Sequence, residues 1–264
     1  MNVIKLYGGL GNQMFQYGFG MAMEKNGIDV TFETSFFDKP QEPPRPFCLH
    51  YFHTHVRSST FSRQLITVHE TPEQFYKCEP SYLKRNNCNF FGYWQNIGYI
   101  KDIFPKLLKE FTLREESYTE EYEKLRNRIT SIPSVSLHVR RGDYVSINGH
   151  VLLPLEYYSK ALAILREKSF GSPLYVFSDD LPWCKQFIVG DDITFVDLEE
   201  VFCLELMSLC KYNIIANSTF SWWAAILNRN KDKLVIAPNR WRERIGEQQQ
   251  LENGGFINNE WIRI

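Results

Sequence analysis

The sequence predicts an α/β fold, with two Rossmann-like halves facing each other across a cleft. Three observations carry that prediction. After about residue 134, short β-branched runs alternate with helical stretches. The chain also opens as a strand, a glycine loop, a helix and a second strand. Between these regions lies "TSIPS" (130–134), whose Pro133 cannot continue the charged helix before it. The halves are then residues 1–133 and 134–264, each near the usual domain size of roughly 100–150 residues.

In the first half, "NVIKL" reads as a strand, "GGLGNQ" (8–13) as the loop, "MFQYGFGMAMEK" as the helix and "DVTFE" as the second strand. A long aromatic, proline-containing segment follows, from about 36 to 90. "NFFGYWQ" (89–95) looks like another buried strand, and "IGYIKDIFPKLLKEF" is helical up to Pro105 or beyond. In the second half, "VSLHV", "PLYVFS", "ITFVD", "YNIIAN" and "KLVIAP" are apolar strands separated by helical segments. Five such strands predict a parallel, doubly wound sheet covered on both faces. Ligands of such sheets bind at the carboxyl ends of the strands.

Composition narrows the function classes. A chain that is 44% hydrophobic and 15% aromatic has ample material for a packed core, which excludes disorder. Thirty basic against 31 acidic residues leave a net charge of −1, without the footprint of a nucleic-acid binder. The six cysteines lie in no CxxC or zinc spacing, so they read as small buried hydrophobes in a reducing compartment. No leader peptide opens the sequence, and no apolar run approaches the ~18 residues of a membrane span. The expectation is a soluble, cytoplasmic protein. "NST" (217–219) matches a glycosylation sequon and, in such a protein, is read as fortuitous.

Four clusters fall at strand ends. The glycine loop allows close backbone approach and positive φ at Gly9, Gly11 or their neighbours, and leads into a helix N-terminus with unpaired amides. Gly9 and Gly11 with Glu33 also imitate a dinucleotide fingerprint, although Met14 stands where a small residue is wanted. In "HVRRGDYV" (138–145), Arg140 and Arg141 follow His138 and precede Asp143. Two adjacent arginines are costly to desolvate unless an anion meets them, and a guanidinium fork suits phosphate; the bland reading is an Arg–Asp pair bracing the loop. Strand alternation sends the two arginines to opposite sides.

"VFSDD" (176–180) ends in Ser178, Asp179 and Asp180, which suit hydroxyl or amino groups, a metal, or simply a helix cap. No partner cluster favours the metal. "ANSTFSWWAAILN" (216–228) puts Asn217, Ser218 and Thr219 at the positive end of a helix, a phosphate-binding design as well as a cap. Phe220, Trp223, Ala224 and Leu227 share the spacing of a core face, while Trp222 faces differently and could reach a cleft. Together the four clusters point to a nucleotide diphosphate as the anion.

"GGLGNQMFQY", "GYWQ" (92–95), "HVRRGDYV", "VFSDD" and "NSTFSWWAA", in that order, resemble the α-1,2-fucosyltransferases of glycosyltransferase family 11. The resemblance runs from residue 8 to about 241. It implies a GT-B-like enzyme that uses GDP-β-L-fucose without a metal or other cofactor. It further implies inversion at the fucose anomeric carbon and transfer to the 2-hydroxyl of a galactose-containing oligosaccharide or glycolipid. The implied place of work is the cytoplasm at the inner face of the membrane, with no more than peripheral membrane contact.

Carried over residue by residue, the resemblance puts Arg140 on the diphosphate and His138 and Asp179 near the nucleoside. It puts Ser218, Thr219 and Ser221 on phosphate oxygens, and Asn12 toward the reacting sugar from the other half. Gly9, Gly11, Gln13, Arg141, Ser178 and Asn217 complete the expected binding set. Asp143, which ends the RRGD turn, is the first candidate for the general base that deprotonates the galactose 2-hydroxyl, and a pair between Arg141 and Asp143 that holds the loop is the alternative role for Arg141. His150 in "NGHVLLP" is the rival base, and a dissociative reaction needing little base is the third reading. Relatives making core α-1,6 linkages carry a glutamate near the position of Asn148, which cannot take a proton. Two other functions remain open at this point: an NAD-dependent oxidoreductase, resting on Gly9, Gly11 and Glu33, and a non-catalytic nucleotide-sugar-binding protein.

Overall fold

Apolar and β-branched runs set the strands, and every pairing among the described strands is parallel. The computed structural model describes all residues except 72–76, 147–150, 169–170, 243–255 and 257. Two compact units result. Met1–Arg114 forms the first, together with Phe256 and Asn258; the second begins at Glu115 and includes Asn259–Ile264.

The first unit contains β1 (Asn2–Lys5), α1 (Leu10–Lys25), β2 (Val30–Glu33), β3 (Ser58–Ser59), β4 (Ile66–His69), β5 (Cys88–Phe91), α2 (Ile97–Ile100) and α3 (Phe104–Glu110). Its sheet order is β3-β2-β1-β5-β4. The aromatic segment left without a pattern by the sequence thus supplies two strands, β3 and β4. Both are short, and β4 buries only Val68, so neither shows the continuous apolar run of a central strand. The helix expected from residue 97 to 111 is broken by a 3-10 turn, after which Pro105 sits in the first turn of α3.

The second unit contains α4 (Glu120–Ser131), β6 (Val135–Val139), α5 (Leu155–Lys168), β7 (Leu174–Ser178), α6 (Leu181–Phe187), β8 (Ile193–Val196), α7 (Glu200–Leu209), β9 (Tyr212–Ile214), α8 (Thr219–Leu227), β10 (Leu234–Ala237) and β11 (Ile262–Arg263). The order β11-β10-β9-β6-β7-β8 is the doubly wound arrangement expected, with β11 as an added two-residue edge. All five residues of β6 are buried, and Leu137, Val139, Tyr158, Ala161, Val176 and Ile214 share its core.

The units divide at Glu115 rather than at Pro133, because α4 packs on α7. The Tyr122 hydroxyl donates to Glu205 at 2.6 Å, and its ring lies 5.1 Å from that of Phe202. All six cysteines are unpaired and five are buried; burial pushes the Cys203 and Cys210 thiols up to about 12. Among the described residues no helix is long and apolar enough to cross a membrane.

Strand order places a topological switch point in each unit. In the first it lies between β1 and β5, and in the second between β6 and β9. Crevices of this kind bind ligands in open parallel sheets. The GGLGNQ loop follows the carboxyl end of β1, HVRRGDYV and the NST cluster follow those of β6 and β9, and VFSDD follows that of β7 beside β6.

Candidate functional site

In the second unit, β6 delivers Arg140 and Arg141 out of the core. Arg140 Nη1 pairs with Asp179 Oδ2 at 2.8 Å, and Nη2 pairs with Asp143. Arg141 turns the other way. Its Nε donates to Asp180 at 3.0 Å, its backbone N–H donates to Asp179 at 2.9 Å, and its guanidinium lies 4.2 Å from the Trp183 ring centre. The pairing expected between Arg141 and Asp143 is therefore corrected. The 3-10 turn Asp143–Val145 folds back three residues onto Arg140, leaving Arg141 to the β7 loop.

Tight packing fixes this geometry. A Cβ on Gly142 would stand 2.4 Å from Asp179 Oδ2, so only glycine lets the two loops meet. Tyr144 lies under Arg140, 5.0 Å from ring centre to guanidinium, and its hydroxyl donates to the Asn217 carbonyl at 3.1 Å. Asp180 caps α6 through Trp183 N–H, and Ser178 Oγ accepts from Asp180 N–H. The acidic cluster is thus both a cap and a pair of arginine partners.

His138 is 4% exposed, its ring 5.4 Å from that of Phe220. Burial, and then the charge of Arg140, push its pKa down to about 3, so the imidazole is neutral at ordinary pH. Ser218 caps α8 by accepting from Phe220 N–H at 3.3 Å, and Thr219 opens the helix half-buried. Ser221 is not brought to this surface. It is fully buried, and its hydroxyl donates to the Ala216 carbonyl at 3.2 Å. Trp222 likewise packs in the core, edge-on to Trp223 at 5.0 Å, while Phe220, expected in the core, is half-buried.

Three buried polar atoms at this site lack a partner: His138 Nδ1, Arg140 Nε and Asn217 Oδ1. They make up half of the six such atoms among the described residues. An unmet buried donor or acceptor costs about 1–3 kcal/mol, so their concentration here marks a place where a ligand can supply partners. Asn217 is otherwise held by its amide, which donates to the Val151 and Trp241 carbonyls. Formally, two arginines face three carboxylates, and Arg140 is already shared between Asp143 and Asp179. His150, like Asn148, lies outside the described residues.

In the first unit, positive φ falls on Gly8 (+79°), where a Cβ would meet Asn12 Nδ2 at 2.8 Å. Gly9 is the N-cap of α1, and Gly11 is buried in its first turn. Asn12 reaches across the β1–β5 switch point, its Oδ1 accepting from Gln95 Nε2 at 2.6 Å. Gln13 is buried and saturated. Its amide donates to the Gly8 and Pro46 carbonyls and its carbonyl accepts from Cys48 N–H, so it ties two loops together.

Glu33 is spent as well. Burial alone would raise its pKa, but hydrogen bonds from Lys5 (2.7 Å) and Ser35 hold it below the usual value. A carboxylate so engaged, with Met14 fully buried behind the loop, does not suit a dinucleotide ribose.

Four residues here escaped the sequence reading. Tyr7 stacks on Phe91 at 5.1 Å and meets Tyr93 at 4.7 Å. Gln95 holds Asn12, and Glu70 at the end of β4 accepts from Tyr93 N–H (2.7 Å) and Trp94 N–H (3.0 Å). Burial pushes Glu70 up to about 7, against the pull of those two amides. Only "GYWQ" offered a signal for them.

The model of Glycosyl transferase family 11 matches residues 1–264, the whole chain. The chain belongs to that family. An alpha-1,2-colitosyltransferase of Escherichia coli is 32% identical to this family 11 chain, covering 99% of it and 98% of the relative. The galactoside 2-alpha-L-fucosyltransferase Sec1 of Mus musculus is 29% identical over 86% of this chain and 64% of its own. Among solved structures, a glycosyl transferase family 9 protein from Veillonella parvula superposes with a TM-score of 0.50, covering all of this chain and 86% of the other at 8% identity. That likeness concerns the fold alone, and it bears out the GT-B-like class with its two Rossmann-like units.

Proposed function

We propose that this glycosyltransferase moves L-fucose from GDP-β-L-fucose to the 2-hydroxyl of a galactose-containing acceptor, with inversion and without a metal. The observation that carries the reading is Arg140 at the β6–β9 switch point. It is held by two carboxylates, has an unpartnered Nε, and lies against Tyr144, whose hydroxyl reaches the Asn217 carbonyl just before the capped start of α8. In the reaction the acceptor oxygen bonds to the fucose C1 as the bond from C1 to the diphosphate oxygen breaks. Charge gathers on the departing GDP, and pre-aimed donors at such a place are worth roughly 3–4 kcal/mol each. Arg140 and the amides at the start of α8 supply them.

Asp143 in this reading orients Arg140, and the hydroxyl proton leaves late to solvent water, as suits an oxocarbenium-like transition state that needs no strong base. Asn12, backed by Gln95, is the candidate contact to the acceptor sugar within the first unit. The unpaired cysteines support a reducing, cytoplasmic setting, and a glycan or glycolipid at the inner membrane face suits the acceptor class.

The second reading is favoured by the colitosyltransferase relative: the donor sugar is colitose, which lacks the 3-hydroxyl of fucose. GDP release in EDTA, with lactose as acceptor and each donor in turn, separates the two. Acceptor-dependent release from GDP-fucose is expected. Release from the 3-deoxy donor alone transfers the proposal to colitose. Binding of GDP without release from either donor overturns catalysis and leaves a nucleotide-binding protein.

A further inference from the structure

The mechanism above makes no use of Glu70, and nothing in it explains why a largely buried carboxylate sits at the sheet end of the first unit, without an ion pair among the described residues. Its surroundings give the reason. Glu70 N–H donates to the Phe91 carbonyl at 2.9 Å, closing β4 against β5, and its two carboxylate oxygens accept from the Tyr93 and Trp94 backbone N–H groups. Trp94 adopts a left-handed φ of +54°, uncommon for a large side chain and held only where surrounding contacts impose it. Gln16 ties the start of the same turn by donating to the Gly92 carbonyl at 3.2 Å. At its other end Gln95 donates to Asn12. The same turn aims the Tyr93 ring at Tyr7, leaving Tyr93 36% exposed.

We propose that Glu70 is a positioning residue: its carboxylate latches the Gly92–Gln95 turn and so sets both the Gln95–Asn12 contact and the Tyr93 ring that face the acceptor sugar. This rests on the reading of Asn12 and the β1–β5 crevice as the acceptor side. Among the described residues no cation pairs with the carboxylate. The groups around it are the Tyr7 and Tyr93 phenols, the Tyr99 phenol on α2, and His69 just before it on β4, while Lys5 is turned to Glu33.

A carboxylate raised to about 7 exchanges its proton within the working range. Ionised, it accepts both amides; protonated, one oxygen becomes a donor and the hold on one amide weakens. The latch therefore tightens as pH rises through about 7. The global contribution runs the opposite way. A raised carboxyl pKa favours the folded chain below the usual 4.5, and that stability is lost as pH rises through about 7.

The test is amide titration of the full-length ¹⁵N-labelled chain between pH 5.5 and 8.5, for wild type, Glu70→Gln and His69→Gln. The Tyr93 and Trp94 amides should shift together with a midpoint near 7. They should do so equally in His69→Gln and not at all in Glu70→Gln. Turnover should show a limb at the same midpoint that Glu70→Gln flattens, with kcat for acceptor transfer down roughly tenfold or more, as expected for a lost charge-assisted hydrogen bond, and GDP affinity unchanged. Glu70→Asp, one methylene short of spanning both amides, should recover only part of the rate. Amides that do not titrate, or that titrate identically in Glu70→Gln, overturn the proposal, as does a pH limb that survives the substitution. Intact amide titration in a chain that transfers no sugar supports the latch and counts against the fucosyl-transfer reading instead.

Discussion

Arg140→Ala is the most informative single change. Its guanidinium is 18% exposed and paired with Asp143 (16%) and Asp179 (28%), so all three charges are more than two-thirds withdrawn from water. Removing it takes away the guanidinium that the two carboxylates share. Breaking a fully buried pair costs about 3–5 kcal/mol, and partial exposure here reduces that to roughly 1–2 kcal/mol of folding stability. The catalytic loss is larger. One pre-aimed donor at a developing charge is worth roughly 3–4 kcal/mol, or a factor of 10² to 10³ in kcat. Arg140→Lys keeps the charge but cannot span both carboxylates, so it should fall between wild type and alanine. The assay is GDP release at saturating donor and acceptor, with calorimetric GDP affinity and a thermal melt on the same samples. A variant within threefold of wild-type kcat, with Tm lowered as expected, would refute the leaving-group role while leaving the loop pairing intact.

Further changes probe other parts of the account. Asp143→Asn should lower kcat only about tenfold, because the amide oxygen still accepts from Arg140; a loss beyond roughly 10³ would make Asp143 the base instead. Gly142→Ala should drive Asp179 from both arginines, weakening GDP binding in calorimetry and destabilising the chain by roughly 1–3 kcal/mol. Tyr122→Phe removes the hydroxyl that holds Glu205 down against burial, so the Glu205 pKa should rise further. Stability tied to a raised carboxyl pKa is lost as pH rises through it, so the urea midpoint of this variant should fall more at pH 8 than at pH 5. His138, with its folded pKa depressed to about 3, should give no NMR titration between pH 5 and 8, and its stability contribution should fall as pH drops below the ordinary histidine value of ~6.5.

The second unit was legible because its strands are buried on both faces and therefore apolar throughout, as "VSLHV" shows. The strands β3 and β4 carry no such run, so the sheet of the first unit was read as three strands rather than five. At the candidate site, residue types at strand ends singled out Arg140, Asp179 and Ser218, but their pairings depend on loop geometry. Which arginine takes Asp143 is decided by a three-residue turn that no spacing rule specifies. Trp222 is buried because α8 is covered nearly all round, with Ser221 to Ala225 and Leu227 all buried, while Phe220 in its first turn is half-buried. Glu70 was invisible for a different reason. Its importance comes from two backbone amides 23 and 24 residues away, contacts with no sequence signature.

The most direct measurement of the central claim is NMR of the product formed from GDP-β-L-fucose and lactose in the presence of EDTA. The account predicts a single α-linked fucose joined to carbon 2 of galactose, formed from the β-configured donor. A β-linked product, a linkage to another hydroxyl, or free fucose formed regardless of acceptor would contradict it.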